Sequence, residues 1–202
     1  MNSPGMHSAE APLKIAVVLA STRPGRRADA IGDWVLQRAA RREHAKFELV
    51  DLAEQALPLL DEPAPAITGS YVRPHTLAWS ARVAEFDGYL FVTPEHNRSI
   101  PAALKNALDY LYAEWANKAA GIVSYGVDAG GARAAEHLRG VLGELQVADV
   151  RATVALSLMT EFDNADGGTV TAGPHQGQKL EALLDQLLSW SAALRTVRRA
   201  AP

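Results

Sequence analysis

Short apolar runs alternate along the chain with longer segments in which apolar residues recur every three or four positions. Residues 14–19 ("KIAVVL") form the first run, continuous and rich in β-branched side chains, as in a strand buried on both faces. Residues 28–42 follow with a helical period, placing Ile31, Trp34, Val35 and Arg38 on one side. Residues 46–52 alternate as a second strand. Residues 53–73 carry Pro58, Pro63, Pro65 and Gly69 and predict a long irregular connection. A helix is predicted over 74–85, with Leu77, Val83 and Phe86 on its apolar side, and a third strand over 88–93. Residues 101–112 predict a helix with Pro101 in its first turn and Ser99 as its cap. A fourth strand over 119–126 runs into a Gly-rich loop, followed by a helix over 131–145 and a fifth strand over 149–156. Residues 160–175 predict a loop. The closing helix, 179–198, is amphipathic through Leu180, Leu183, Leu184, Leu187 and Leu188.

Strands alternating with helices predict a parallel sheet with helices on both faces. This number of β-α pairs fits the flavodoxin-like doubly wound order 2-1-3-4-5, in which ligands bind beyond the carboxyl ends of the strands at the switch point. Chemistry is therefore expected in the loops after strands 1, 3 and 4 rather than after 2 and 5. A single domain is expected over 13–200, behind a disordered tail over 1–12.

Those loops carry the candidate chemistry. The first, "ASTRPGRRADAI" (residues 20–31), supplies Ser21, Arg23, Arg26 and Arg27 at a helix start, where unpaired N–H groups and partial positive charge suit an anion. It holds neither a Gly-x-Gly-x-x-Gly fingerprint nor a Gly-Lys-Ser/Thr loop, so a terminal phosphate monoester fits better than a dinucleotide or nucleoside triphosphate. The second is "PEHNRS", where Pro94, Glu95, His96 and Asn97 are set to line a flat hydrogen-bonding ligand. His96 raises acid–base or metal chemistry, but no other His lies within a helix turn of it and no metal-ligand spacing exists. The third holds Ser124, Tyr125, Gly126, Gly130 and Gly131; the glycines allow close backbone approach, and Tyr125 is placed to shield a ring.

Composition narrows the classes. The 202 residues are 48% hydrophobic, enough for one sizeable core, and the net charge is −3. No basic patch points to nucleic acid. No apolar run approaches the roughly 18 residues of a membrane span. The first dozen residues lack the basic and apolar regions of a secretory signal, so a cytoplasmic location is expected. There is no Cys, which excludes disulfides, thiolate catalysis and iron–sulfur clusters. Any redox chemistry then needs a bound organic cofactor.

With these residues in view, the chain from about residue 13 to 158 resembles the NAD(P)H-dependent FMN reductase family, which includes azobenzene, quinone and chromate reductases. The most specific match is Pro94-Glu95-His96-Asn97, Ser99, Pro101, Leu104-Lys105-Asn106 and Asp109, against a family pattern with Tyr where this chain has His96. The first loop is similar to the family's Gly-Ser-x-Arg phosphate loop, with Ala20 in place of Gly. The resemblance implies that Ser21, Arg23 and Arg26 or Arg27 hold the FMN phosphate. It implies that Pro94 to Asn97 border the isoalloxazine ring, and that Ser124 to Gly126 and the following glycines, Gly131 included, close the other side. Hydride would pass from NADPH or NADH to FMN and then to a small acceptor, with no catalytic acid or base from the protein and with NADPH preferred through Arg26, Arg27 and Arg98. The resemblance also implies a homodimer through the helix 101–112, whose Leu104, Leu108, Tyr112 and Trp115 form a stripe, and a homotetramer as the next level of assembly. A flavodoxin-type electron carrier and a fold relative with a regulatory or non-redox role remain as alternatives.

Overall fold

The computed structural model describes residues 11–163 and 168–200. The continuous apolar runs become β1 (Leu13–Leu19), β2 (Ala45–Asp51), β3 (Gly88–Pro94), β4 (Lys118–Gly126) and β5 (Val147–Ser157). They form one parallel sheet in the order β2-β1-β3-β4-β5, the flavodoxin-like doubly wound order expected. Every residue of the inner strands β3 and β4 is buried, whereas the edge strands β2 and β5 mix buried with half-exposed positions. That is why the inner strands read as unbroken apolar runs and the outer ones as alternating.

The helices are α1 (Ala28–Ala39), the single turn α2 (Leu52–Gln55), α3 (Pro74–Ala84), α4 (Ala102–Asp109), α5 (Ala132–Glu144) and α6 (Pro174–Ala200). α1 and α6 pack on one face of the sheet, and α3, α4 and α5 on the other. All five predicted leucines of α6 are buried. On the α3 side, Val83 and Phe86 are buried as expected, but Leu77 is exposed and Thr76 and Trp79 point inward instead, the Trp79 indole donating to the Ala107 carbonyl (2.9 Å). Ser99 does not cap α4. Its hydroxyl meets His137 Nδ1 at 2.6 Å, and Pro101 stands at the N-cap without a side-chain bond.

The connection after β2 is held in place by polar residues of α4 and by its own acids. Asn106 donates to the Pro58 carbonyl (2.7 Å) and accepts from Leu60 N (2.9 Å), the Tyr110 hydroxyl donates to Pro58 O (3.1 Å), and Glu62 accepts from Val72 N and Arg73 N. The family-pattern Asn106 is thus a clamp. The stripe proposed for a dimer is spoken for within one chain: Leu104, Leu108 and Trp115 are buried in its own core. That removes the sequence-based reason for assembly through this helix.

Residues 1–10 of the expected tail lie outside the described residues. The Ala11 and Pro12 carbonyls accept from Arg195 (2.6 and 3.1 Å), so the expected tail is held to the domain at these two residues. At the amino end of the sheet, Lys118 is buried and donates to Val83 O (2.9 Å) and the Tyr89 hydroxyl (3.0 Å); burial pushes its ammonium down to about 7. Among the described residues no helix is long and apolar enough to cross a membrane.

Candidate active site

Parallel pairing delivers three loops to one place. Ala20 N donates to Val92 O (3.0 Å), Glu95 N to Tyr125 O (2.9 Å) and Leu158 N to Gly126 O (2.9 Å), so the carboxyl ends of β1, β3, β4 and β5 finish side by side. A cleft of about 280 Å³ lies between them. Of the predicted residues, Ser21, Arg23, Arg26, Arg27, Pro94, Glu95, His96, Tyr125 and Gly126 line it. Asn97 and Gly131 line a second cleft of about 270 Å³ that adjoins the first across Glu95, Gly126 and Val127.

The loop after β1 turns at Pro24-Gly25, where Gly25 has φ 66°, and enters α1. Its three arginines have different fates. The Arg26 guanidinium is saturated by protein acceptors: Asp29 through Nε and Nη2, the Ser21 carbonyl (2.6 Å) and Asp51 Oδ1 (2.6 Å) through Nη1, and Asp51 Oδ2 through Nη2. With its five N–H groups used, Arg26 has no donor left for a phosphate, which corrects the sequence expectation. Burial alone would raise the Asp51 carboxyl, but Arg26 and the Ala53 N–H hold it below its usual value. Arg27 packs on the backbone of Gly168 and has a further partner of its own. Arg23 is exposed and makes no hydrogen bond or ion pair among the described residues, while lining the cleft. α1 starts without any side-chain cap, so no side chain at its N-cap takes up its first N–H groups.

The loop after β3 is a tight hairpin. His96 and Ser99 exchange both backbone bonds (2.9 and 3.0 Å) around Asn97 (φ 50°) and Arg98 (φ 68°), as in a two-residue turn of type I′. The Glu95 carboxylate, while lining the cleft, is engaged by the protein. It accepts from Arg133 N (3.1 Å) and Nη1 (2.9 Å), tying this loop to the first turn of α5. His96 is half-buried beside Arg23. Burial, and then the charge of Arg23, lower its pKa from the ordinary value.

In the loop after β4, Ser124 is fully buried and donates to the Gly130 carbonyl (2.8 Å). Gly131 has φ 81°, and a Cβ there would stand 2.7 Å from the Tyr125 backbone. Both residues fold the loop back onto β4; Ser124 lines neither cleft, whereas Gly131 lines the second. Tyr125 is 4% exposed, bonded to Ser21, with its hydroxyl pushed up to about 12, chiefly by burial. It is a floor beneath the cleft rather than a free-standing shield. Asp51, Arg133, Val127 and Leu158 were missed. Asp51 and Leu158 sit at the ends of β2 and β5, where no chemistry was expected. Only Asp51, the N-cap of α2, left a local sign.

Residues 13–161 match the family described as NADPH-dependent FMN reductase. The chain belongs to this family. It is 42% identical over 147 residues to an NAD(P)H-dependent FMN reductase of Schizosaccharomyces pombe, covering 72% of this chain and 73% of that one. It is 35% identical over 143 residues to a 2-hydroxy-1,4-benzoquinone reductase of a Burkholderia species, covering 67% and 73%. A flavoenzyme NAD(P)H:(acceptor) oxidoreductase from Paracoccus denitrificans shares the fold, with a TM-score of 0.68 at 24% identity over 90% of this chain and 98% of that one. As a family member the chain is an oxidoreductase working with FMN and a nicotinamide nucleotide.

Proposed function

We propose that the cleft between the loops after β1, β3 and β4 binds FMN and that the enzyme passes electrons from a nicotinamide nucleotide to a small acceptor. The observation that carries this reading is the unpaired Arg23 at the uncapped start of α1, beside two arginines already engaged by the protein. An anion held there by Arg23 and the first N–H groups of α1 places the rest of a flavin toward Pro94, His96 and Gly126. Bound FMN supplies hydride acceptance and electron delivery. The chain's own residues bind and orient. Arg26 and Asp51 fix the loop that presents Arg23, the Glu95–Arg133 pair fixes the loop after β3, and Tyr125 forms the floor. Glu95 is ion-paired and the Tyr125 hydroxyl is buried.

The acceptor belongs to the class of quinones, azo compounds, chromate or free flavin, with a quinone favoured by the name of the Burkholderia relative. The proposal includes a cytoplasmic setting and a homodimer. For the dimer, the supporting surface is the connection after β2 and the start of α3, where Leu59, Leu60, Ile67, Val72 and Leu77 are exposed; a monomer mass by light scattering at micromolar concentration argues against it. The central test is calorimetric titration with FMN followed by NADPH oxidation. Micromolar or tighter binding with turnover is expected. Binding without turnover returns the electron-carrier reading, and absence of binding at saturating FMN returns the non-redox one.

A further inference from the structure

The turn between β3 and α4 is held against its own backbone preference. Asn97 and Arg98 stand at φ 50° and 68°, in the left-handed region. An Asn tolerates that conformation, whereas Arg98 is strained in it. The Arg98 side chain is exposed and makes no hydrogen bond or ion pair among the described residues, so it does not offset the strain. His96 and Ser99 close the turn by exchanging both backbone bonds. The two stems are then tied to a single helix. Glu95 accepts from Arg133, and the Ser99 hydroxyl lies 2.6 Å from His137 Nδ1. Arg133 and His137 are four residues apart on α5, neighbours on one face. α5 is itself fixed to the sheet through Ala134, Ala135, Leu138 and Leu142, all buried. His137 is exposed, so α5 does not depend on its burial.

We infer that His137 is a positioning residue for the turn that borders the flavin: through Ser99 it holds the strained backbone of Asn97 and Arg98 and so keeps His96 and Asn97 at the clefts they line. The inference rests on the reading of the first cleft as the FMN site. His137 lines neither cleft and acts only through Ser99.

His137→Leu removes the bond at an exposed helical position that Leu suits, so the thermal midpoint should stay close to that of the parent. Calorimetry on the full chain should show FMN and riboflavin each binding about three- to tenfold more weakly, the scale of one hydrogen bond. Equal losses are expected because the turn borders the ring and not the phosphate, the opposite of Arg23→Ala. His137→Asn places an amide where Nδ1 stood and should restore both affinities. The visible absorption band of the bound flavin, which reports the surroundings of the ring, should shift in His137→Leu and return in His137→Asn. In an Arg98→Gly background, where glycine relaxes the turn, His137→Leu should cost less than in the parent. Unchanged affinity for both flavins in His137→Leu overturns the inference and leaves the flavin site standing. A loss that His137→Asn does not restore, that persists undiminished beside Arg98→Gly, or that comes with a lowered midpoint makes His137 a structural part of α5 and overturns it too. Failure of the parent protein to bind either flavin overturns both readings.

Discussion

Three arginines within five residues, in "RPGRR", look alike in the sequence, and the structure gives them three different duties. What separates them is Asp51, which lies 25 positions away from Arg26 and takes it in a bidentate pair. A local pattern can announce a basic loop at a helix start, but it cannot say which guanidinium a distant carboxylate will neutralise. The same holds for Glu95, whose place at the cleft was legible and whose engagement by Arg133 was not, and for Ser124, which the Gly130 carbonyl holds inside the fold. Arg26→Ala should therefore act on the fold before it acts on any ligand. It leaves Asp51, 8% exposed, without its partner, and breaking such a buried pair costs about 3 kcal/mol. Denaturant unfolding should show that loss, with FMN and riboflavin affinities falling together because the whole loop is released. An unchanged midpoint in denaturant would mean that the clasp holds nothing.

At the level of elements, unbroken apolar runs made the inner strands readable, because inner parallel strands can contain little else, and the alternation of strands with helices made the order readable. The connection after β2 was unreadable for the opposite reason. Its order comes from Asn106, Tyr110 and Glu62, single polar contacts that leave no period. α3 shows the limit of periodicity in a short helix, where Leu77 is exposed while Thr76 and Trp79 are buried. The glycines of the site loops give a test at this scale. Gly25 and Gly131 both have positive φ, at 66° and 81°, but a Cβ on Gly25 meets nothing within 4 Å, whereas on Gly131 it stands 2.7 Å from the Tyr125 backbone. Gly25→Ala should cost about 1 kcal/mol, the left-handed penalty alone. Gly131→Ala adds a backbone clash and should cost at least about 2 kcal/mol. Thermal unfolding of the two variants would rank them, and equal losses would deny that the loop after β4 is packed as closely as it appears.

For the whole molecule, the topology pointed to the strand ends of β1, β3 and β4, and the candidate cleft lies there. The contributions of Asp51 and Leu158 show that the neighbouring strand ends share the same edge. The opposite edge carries a consequence for stability. The Lys118 ammonium is down at about 7 in the fold, against about 10.4 in an unfolded chain. Between those values the unfolded state binds the extra proton, so stability should climb from pH 7 toward pH 10 and lose this contribution as pH falls through 7. Lys118→Met fills similar space without the charge and leaves the Val83 carbonyl still accepting from the Tyr89 hydroxyl (3.0 Å). It should be close to neutral in stability at pH 7 and should flatten the climb. Melting temperatures of both proteins across that range would reveal the difference, and parallel curves would remove Lys118 as the source.

The claim on which the function depends is that Arg23 is the phosphate anchor of a flavin site. Paired titrations of the parent and Arg23→Ala with FMN and with riboflavin address it directly. A charge-assisted bond contributes about 1.5–3 kcal/mol, so the variant should bind FMN about ten- to a hundredfold more weakly. Riboflavin, which lacks the phosphate, should bind both proteins alike. Equal weakening of the two flavins, or FMN binding untouched in a folded variant, would contradict the assignment of this cleft.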